Sequence, residues 1–354
     1  MVVDETKLNE FIGRTVGEWG AIESALLTFI GDKLGLFKAM SGAGALTPEE
    51  LAKKTGTHPR MIREWLAAQV AGGFVTYNPA VGSYILPEEQ AFALTNENSP
   101  AYIVGFYQII AGLYKDQEKI IDAFRTGKGL GWGDHHHYLF EGTERFYKPS
   151  YVANLTTNWI PALEGVEEKL RRGGGAKVAD VGCGHGVSTI LMAKAYPNSQ
   201  IIGFDYHRPS IEQARKEAEK EGLKNIRFEV SGATDYPGDD YYDLVTFFDS
   251  FHDMGNPSGA ARHVLQTLKK KDGTWMLVEP FANDKLEDNL NSLGRALYSG
   301  STMICVPASL NENGPALGAL AGEERIREIV TSAGFSNFRR ATQTPFNLVF
   351  EARP

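Results

Sequence analysis

The chain has 354 residues, room for about two domains at roughly 150 residues each, and its 42% hydrophobic and 23% charged content excludes disordered, collagenous and low-complexity classes. Lys and Arg total 36 against 44 Asp and Glu, and the net charge of −8 is a poor match for nucleic acid or an anionic membrane. Two cysteines, Cys183 and Cys305, are too few for a disulfide framework.

Residues 1–95 read as a small helical module closed by a hairpin. Met1 to Phe11 lacks the apolar core of a signal peptide, and no apolar run reaches the roughly 18 residues of a membrane span, so a cytosolic protein is expected. Its helices are expected to be short: one around Leu26–Leu34, one opened by the capping box Thr47-Pro48-Glu49-Glu50, and one carrying Ile62, Trp65, Leu66 and Val70 on a single face. Runs at 74–77 and 83–86, with a turn at Asn78-Pro79 between them, predict a β-hairpin. Three helices and a hairpin form the winged-helix pattern.

Residues 96–172 show apolar and aromatic residues at helical spacing and predict a helical connector and active-site cover. A Gly-rich stretch, 127–133, is followed by His135-His136-His137. Adjacent residues of a helix or strand do not converge on one point, so a lid or pocket wall is preferred there and no metal is expected. Trp132, Tyr138, Phe140, Phe146 and Tyr147 are candidates for an acceptor pocket.

Residues 173–354 alternate strand and helix signals. Apolar runs at 177–181, 200–204, 226–230, 243–248 and 274–278 predict parallel strands of a doubly wound, Rossmann-like α/β sheet. Ser210-Ile211-Glu212-Gln213 reads as a capping box opening one helix, with Gly222 ending it. An insertion, 284–321, containing Asn291, Arg295, Tyr298 and Met303, follows the fifth strand, where it can shape specificity. A helix near 323–333 and strands near 338–342 and 348–352 close the chain, and no internal repeat is visible.

Candidate ligand contacts fall at successive strand ends. The first strand runs into Asp180-Val181-Gly182-Cys183-Gly184-His185-Gly186, a loop whose glycines let backbone approach a ligand. Its G-x-G-x-G spacing is not the dinucleotide fingerprint, and Asp180 beside it suits a cationic, amino-acid-bearing nucleotide better than a pyrophosphate. Asp205 ends the second strand, followed by Tyr206, where a carboxylate can hold both ribose hydroxyls. Ala233-Thr234-Asp235 follows the third strand, at the place of an adenine ring, and Asp249 ends the fourth.

With these motifs residues 175–354 resemble the class I S-adenosylmethionine-dependent methyltransferases. The whole chain is similar to small-molecule O-methyltransferases whose N-terminal winged-helix domain serves dimerisation. The resemblance implies a homodimer, S-adenosylmethionine as cofactor, and Asp180, Gly182, Cys183, Gly184, Gly186, Asp205, Tyr206, Ala233, Thr234 and Asp249 as its binding residues. Where many relatives have an acid before the Ala of the adenine loop, this chain has Gly232, leaving backbone or Asp235 for that contact. His252-Asp253-Met254 looks like the family's His-Asp-Trp, whose His is the general base. Glu279 is carried over as the acid that orients it, with Asp253 a further candidate. The chemistry agrees: a near-neutral base can take the proton of an attacking hydroxyl.

Three other readings stay open. One is a DNA-binding winged-helix regulator, although residues 1–100 hold eight Lys/Arg against twelve Asp/Glu. The others are a protein that binds S-adenosylmethionine without transferring methyl, and a nicotinamide dehydrogenase.

Overall fold

The computed structural model describes residues 3–172 and 174–354; Met1, Val2 and Gly173, the first glycine of the 173–175 run, lie outside the described residues. The chain packs as two units, Met1–Tyr114 with His137–Pro149, and Lys115–His136 with Ser150–Pro354. Residues 96–172 divide between the two.

The first unit opens with α1 (Glu5–Lys33), capped by the Asp4 carboxylate, which accepts from the Thr6 and Lys7 N–H groups. This 29-residue helix replaces the short one expected around Leu26–Leu34: nothing between Glu5 and Leu26 breaks a helix, so it runs on to Gly35. Then follow α2 (Leu36–Met40), α3 (Pro48–Thr55) and α4 (Pro59–Ala71). The Thr47–Glu50 capping box forms as expected, the Thr47 N–H donating to Glu50 Oε2 at 2.8 Å. Strands β1 (Thr76–Asn78) and β2 (Ser83–Ile85) pair antiparallel as the wing. After α5 (Glu88–Thr95) comes α6 (Val104–Lys115). The module's core is Leu36, Phe37, Met40, Leu51, Ile62, Trp65 and Leu66. Helix α8 (His137–Asn154) carries Tyr138, Phe140, Phe146 and Tyr147 in its part that belongs to this unit.

The second unit begins with α7 (Gln117–Thr126) and, beyond α8, α9 (Val166–Arg171). It then alternates β3 (Lys177–Val181), α10 (Val187–Ala195), β4 (Gln200–Asp205), α11 (Arg208–Lys220), β5 (Ile226–Val230), β6 (Leu244–Phe248), α12 (Pro257–Thr267) and β7 (Thr274–Pro280). The insertion is helical, with α13 (Ser292–Met303) and α14 (Cys305–Asn311). Helix α15 (Gly322–Ser332) and strands β8 (Asn337–Gln343) and β9 (Asn347–Arg353) close the chain.

The seven strands form one sheet in the order β5-β4-β3-β6-β7-β9-β8, with β3–β7 mutually parallel and β9 antiparallel to both neighbours. Strand order reverses between β3 and β6, and open α/β sheets bind ligands beyond the strand C-termini at such a reversal. The capping box expected at 210–213 does not start α11. The helix begins three residues earlier, with His207 at its N-cap and Pro209 in its first turn, and the Ser210 hydroxyl pairs with His207 Nδ1 at 2.8 Å instead.

Trp275 on β7 anchors the core behind the site. It is fully buried, and its ring meets Phe247, Phe251 and Phe335 at centroid distances of 5.2, 5.4 and 5.3 Å. Trp275→Ala is expected to lower unfolding free energy by about 3–5 kcal/mol in urea titration.

Candidate functional site

Three glycines after β3 make the loop possible. Gly182, Gly184 and Gly186 take φ of +73°, +52° and +81°, a region that side chains rarely adopt. A Cβ on Gly186 would lie 2.7 Å from the Phe228 ring, whereas one on Gly184 would meet nothing within 4 Å. Packing therefore fixes the helix end of the loop, and open space lies beside its middle. The loop is tied to β4 by the Gly182 and Cys183 N–H groups, which both donate to the Phe204 carbonyl, at 2.8 and 3.0 Å.

Asp180 holds this loop from inside. It is 0% exposed, and its carboxylate accepts from the Ser188 and Thr189 hydroxyls, both at 2.6 Å, and from the Thr246 hydroxyl at 3.0 Å. Burial pushes its carboxyl up to about 6, against the pull of those three donors. It thus knots β3, α10 and β6 together, and the sequence-expected bond to a ligand ammonium has to compete with three hydroxyls of the chain itself.

Asp205 is half-buried at the end of β4. One oxygen accepts from the Gly184 N–H at 2.9 Å and the other from the His207 N–H at 2.8 Å. Each oxygen keeps a further lone pair, the donor-free arrangement that a vicinal diol can satisfy. Tyr206 is exposed beside it, and burial pulls the Cys183 thiol well above its ordinary value. Beyond β5, Ala233 packs on the sheet core and Thr234 is exposed, while the Asp235 carboxylate folds over Gly232, 2.8 Å from where a Cβ would sit.

The fourth and fifth parallel strands bring His252 and Glu279 together. A tight turn, Phe251–Asp253, follows β6 and carries His252, which is 2% exposed. His252 Nδ1 lies 2.6 Å from Glu279 Oε2 of β7, and the Phe251 N–H donates to Glu279 Oε1 at 3.1 Å. Both carboxylate oxygens are thus engaged, and Nε2 is left as the working nitrogen of the imidazole. Burial depresses the imidazolium, but the Glu279 carboxylate and the neighbouring Cys305 outweigh it and hold His252 well above its ordinary value. Asp253 is half-buried, and burial raises its carboxyl to about 7 against the pull of His252.

Four further residues join the site that sequence patterns do not single out. Ser250 Oγ is buried without a partner among the described residues, 2.9 Å from where a Cβ on Gly182 would sit. Tyr151 and Asn347 donate to the two oxygens of Asp249, at 3.2 and 3.1 Å, and Cys305 of the insertion helps hold the His252 imidazolium above its ordinary value. These pairings join residues far apart in the chain, so no local motif announces them. Of the histidine run, His135 is buried with Nδ1 3.0 Å from Asp116, and the His136 N–H donates to the same carboxylate at 2.7 Å. His137 instead opens α8 and pairs with Glu141.

Residues 173–334 match the methyltransferase domain family, and residues 22–96 match the Rv2258c-like winged helix-turn-helix domain. The chain thus carries a methyltransferase domain preceded by a winged helix-turn-helix domain. Among curated relatives, it is 29% identical over 133 residues to "Probable (S)-tetrahydroprotoberberine N-methyltransferase 2" of Papaver bracteatum, covering 36% of this chain and 35% of the relative. It is 32% identical over 122 residues to the uncharacterized methyltransferase YcgJ of Bacillus subtilis, covering 34% and 47%. The chain therefore spans between a third and a half of the length of these relatives. Solved structures extend the likeness in fold over the whole chain. Mitomycin 7-O-methyltransferase MmcR superposes with a TM-score of 0.69 at 16% identity, covering 99% of this chain and 100% of that one. Human N-acetylserotonin methyltransferase, solved in complex with SAM, superposes at 0.67 and 18% identity, covering 97% of both.

Asp249 supplies a test of the site's electrostatics. It takes φ +49°, and burial, reinforced by the nearby Glu279 charge, pushes its carboxyl up to about 8. From its ordinary value near 4 up to about pH 8 the folded chain holds this proton and the unfolded chain does not, so stability falls as pH rises through that window. Asp249→Asn is therefore expected to raise the thermal midpoint more at about pH 8 than at about pH 5 in scanning calorimetry. Equal gains at both would contradict the raised carboxyl.

Proposed function

We propose that this chain is an S-adenosylmethionine-dependent methyltransferase acting on an oxygen of a small-molecule acceptor, with His252 as general base and Glu279 as its positioning partner. The observation that carries the reading is one juxtaposition within the methyltransferase domain. A three-glycine loop, a diol-ready carboxylate and a buried His–Glu pair all sit at the C-terminal ends of one sheet.

The residues fit the cofactor by their chemistry. Gly182, Gly184 and Gly186 leave open backbone beside the loop, the Ser250 hydroxyl lacks a partner among the described residues, and Asp205 offers a lone pair on each oxygen. Asp180, Asp205, Asp249 and Asp253 all have carboxyls raised by burial, a set that a bound cation would relieve. Cys183, Tyr206, Ala233 and Thr234 belong to the same proposed binding surface. Bound there, S-adenosylmethionine supplies a methyl group made electrophilic by its sulfonium charge. His252 Nε2 takes the acceptor's proton as its oxygen attacks, and Glu279 fixes the Nδ1–H tautomer and balances the imidazolium that forms. A small-molecule acceptor is supported by the printed names of the similar structures, a mitomycin and an N-acetylserotonin methyltransferase.

We propose further that the partner is a second copy. Along α1, Leu8, Phe11, Ile12, Val16, Trp19, Ile22, Leu26 and Ile30 are exposed at spacings of one to four residues, with Trp19 61% exposed. An apolar seam on so long a helix matches its own copy about a two-fold axis, since each patch then covers its equivalent. The acid surplus of the winged-helix module favours this over duplex DNA. No helix among the described residues is long and apolar enough to cross a membrane, and the two free cysteines suit the cytosolic setting that belongs to the same proposal.

S-adenosylhomocysteine is expected to raise the thermal midpoint while NAD leaves it unchanged. His252→Ala should keep that shift yet lose about two to four decades of turnover in a methyl-transfer screen over phenolic acceptors. In the parent protein the rate should climb with pH, with its inflection above the ordinary imidazole value of about 6.5, because the base works only when neutral. A pH-independent rate would remove His252 from the base role. For the dimer, Trp19→Glu combined with Ile22→Glu should convert a species of twice the chain mass to one chain mass in sedimentation equilibrium. A parent protein that is monomeric there would refute the seam.

A further inference from the structure

Asp116, at the start of α7, and His135, just past the glycine-rich stretch, repeat the carboxylate–imidazole design of Glu279 and His252 within the second unit. Asp116 is 1% exposed, and its Oδ2 lies 3.0 Å from His135 Nδ1 and accepts from the His136 N–H at 2.7 Å. Its other oxygen accepts from Lys119 Nζ at 2.9 Å, and the same ammonium donates to the Asp134 carbonyl at 2.5 Å. Burial pulls the Asp116 carboxyl up, but these donors outweigh it and hold the acid below its ordinary value. An ionised Asp116 can only accept, so Nδ1 carries the imidazole proton. Burial also holds His135 below its ordinary value, against the pull of Asp116. His135 is 5% exposed, and its Nε2 is buried without a partner among the described residues. That nitrogen is therefore a lone pair on a neutral ring, shut from water, and such an atom calls for a donor.

The segment that leads into His135 is anchored at two places around the strand ends. At one, the Leu130 N–H donates to the Pro307 carbonyl of α14 at 3.0 Å, and a Cβ on Gly129 would collide with that carbonyl. At the other, a Cβ on Gly133 would touch the His207 ring at 3.4 Å, and the His207 N–H is bound by Asp205. Helix α14 and the residues after it also grip the turn that carries His252. The Ser309 hydroxyl donates to the Met254 carbonyl at 2.9 Å, the Gly255 N–H donates to Glu312 Oε2 at 3.1 Å, and the Gly318 N–H donates to the His252 carbonyl at 3.2 Å. Residues 129–135 thus run from the helix that holds the His252 turn to the end of β4, and His135 stands in that strap.

We propose that His135 recognises the methyl acceptor: its Nε2 accepts a hydrogen bond from a second hydroxyl of the small molecule whose first hydroxyl is methylated, and Asp116 is the positioning residue that fixes its tautomer. The methylation of the bound molecule rests on the function proposed above; the binding of a hydroxyl at Nε2 does not. The class of acceptor follows from the atom. A buried, uncharged lone pair suits a neutral O–H. An ether or carboxylate oxygen would set lone pair against lone pair and leave both without a donor. The acceptor is therefore a dihydroxy compound. Once one hydroxyl is methylated, the turned-over product would present an ether to Nε2, so the site methylates a diol once and releases the monomethyl ether.

The test uses the full chain and a panel of dihydroxybenzenes and dihydroxynaphthalenes, each beside its monomethyl ether. With S-adenosylmethionine, the parent protein should favour a diol over its ether by about tenfold or more in kcat/KM. His135→Leu should bring that ratio to within about twofold of unity, the loss falling on the diol, and let the dimethyl ether accumulate. Asp116→Asn presents an amide donor to Nδ1, which moves the ring proton to Nε2 and should turn the preference toward the ether. Binding is read separately by nitrogen NMR of histidine-labelled protein with S-adenosylhomocysteine, the His135 signals being those that His135→Leu or His135→Asn removes. The parent His135 should be the neutral Nδ1–H form, with an Nε2 resonance that a diol shifts and its ether does not. An equal diol-to-ether ratio in the parent protein and His135→Leu, or an Nε2 resonance that no diol moves, would overturn the recognition role. A diol that shifts Nε2 in a protein that transfers no methyl would sink the proposed function and leave the binding site standing.

Discussion

A carboxylate shut away from water must find a donor for each oxygen, and Glu279 meets that demand with a side chain and a backbone group at once. Its bond to His252 sets the imidazole's tautomer, and its bond to the Phe251 N–H sets the turn that carries His252. Losing either donor would leave a buried charge half-satisfied, a cost of order 1–3 kcal/mol or more. The turn is therefore held rigidly where β6 and β7 end, and Trp275 packs behind it against Phe251. His252, Glu279 and the core behind them form one mechanical unit.

The same demand is met differently at the neighbouring strand ends. Asp180 is satisfied by three hydroxyls, Asp205 by two backbone N–H groups, and Asp249 by Tyr151 and Asn347. Neutral donors steady a carboxylate without cancelling its charge. Several acids therefore crowd one low-dielectric region, and their carboxyls rise to about 6, 7 and 8 at Asp180, Asp253 and Asp249. Such a region is electrostatically incomplete by itself. A cationic ligand completes it, which is why the proposed cofactor suits this site better than a pyrophosphate would.

Legibility followed the range of each interaction. The parallel strands could be read because burial on both faces leaves continuous apolar runs, and the glycine loop because only glycine tolerates its φ values. His252 and Glu279 were picked out at strand ends through the resemblance of His252-Asp253-Met254 to the family's His-Asp-Trp, which also carried over an orienting acid on the next strand. The length of α1 was missed because only its last turns, around Leu26–Leu34, were read as helical, although the helix runs back to Glu5. The 210–213 capping box was misread because Pro209 lets the helix begin earlier. Tyr151 and Asn347 were invisible for a deeper reason: each matters only through a partner, Asp249, that the sheet order, and not the local sequence, places beside it.

The insertion shows how far that principle reaches. An insertion after β7 lies above the strand ends, and loops there are free to vary in order to suit a substrate. This one is not free. Ser309, Glu312 and Gly318 bind it to the residues on and around His252, so the segment also bears directly on the turn that carries His252. Any change in its conformation must alter the hydrogen bonds of the His252 turn. The segment above the strand ends and the turn that carries His252 are consequently coupled through one short stretch of chain, and neither can shift there without the other.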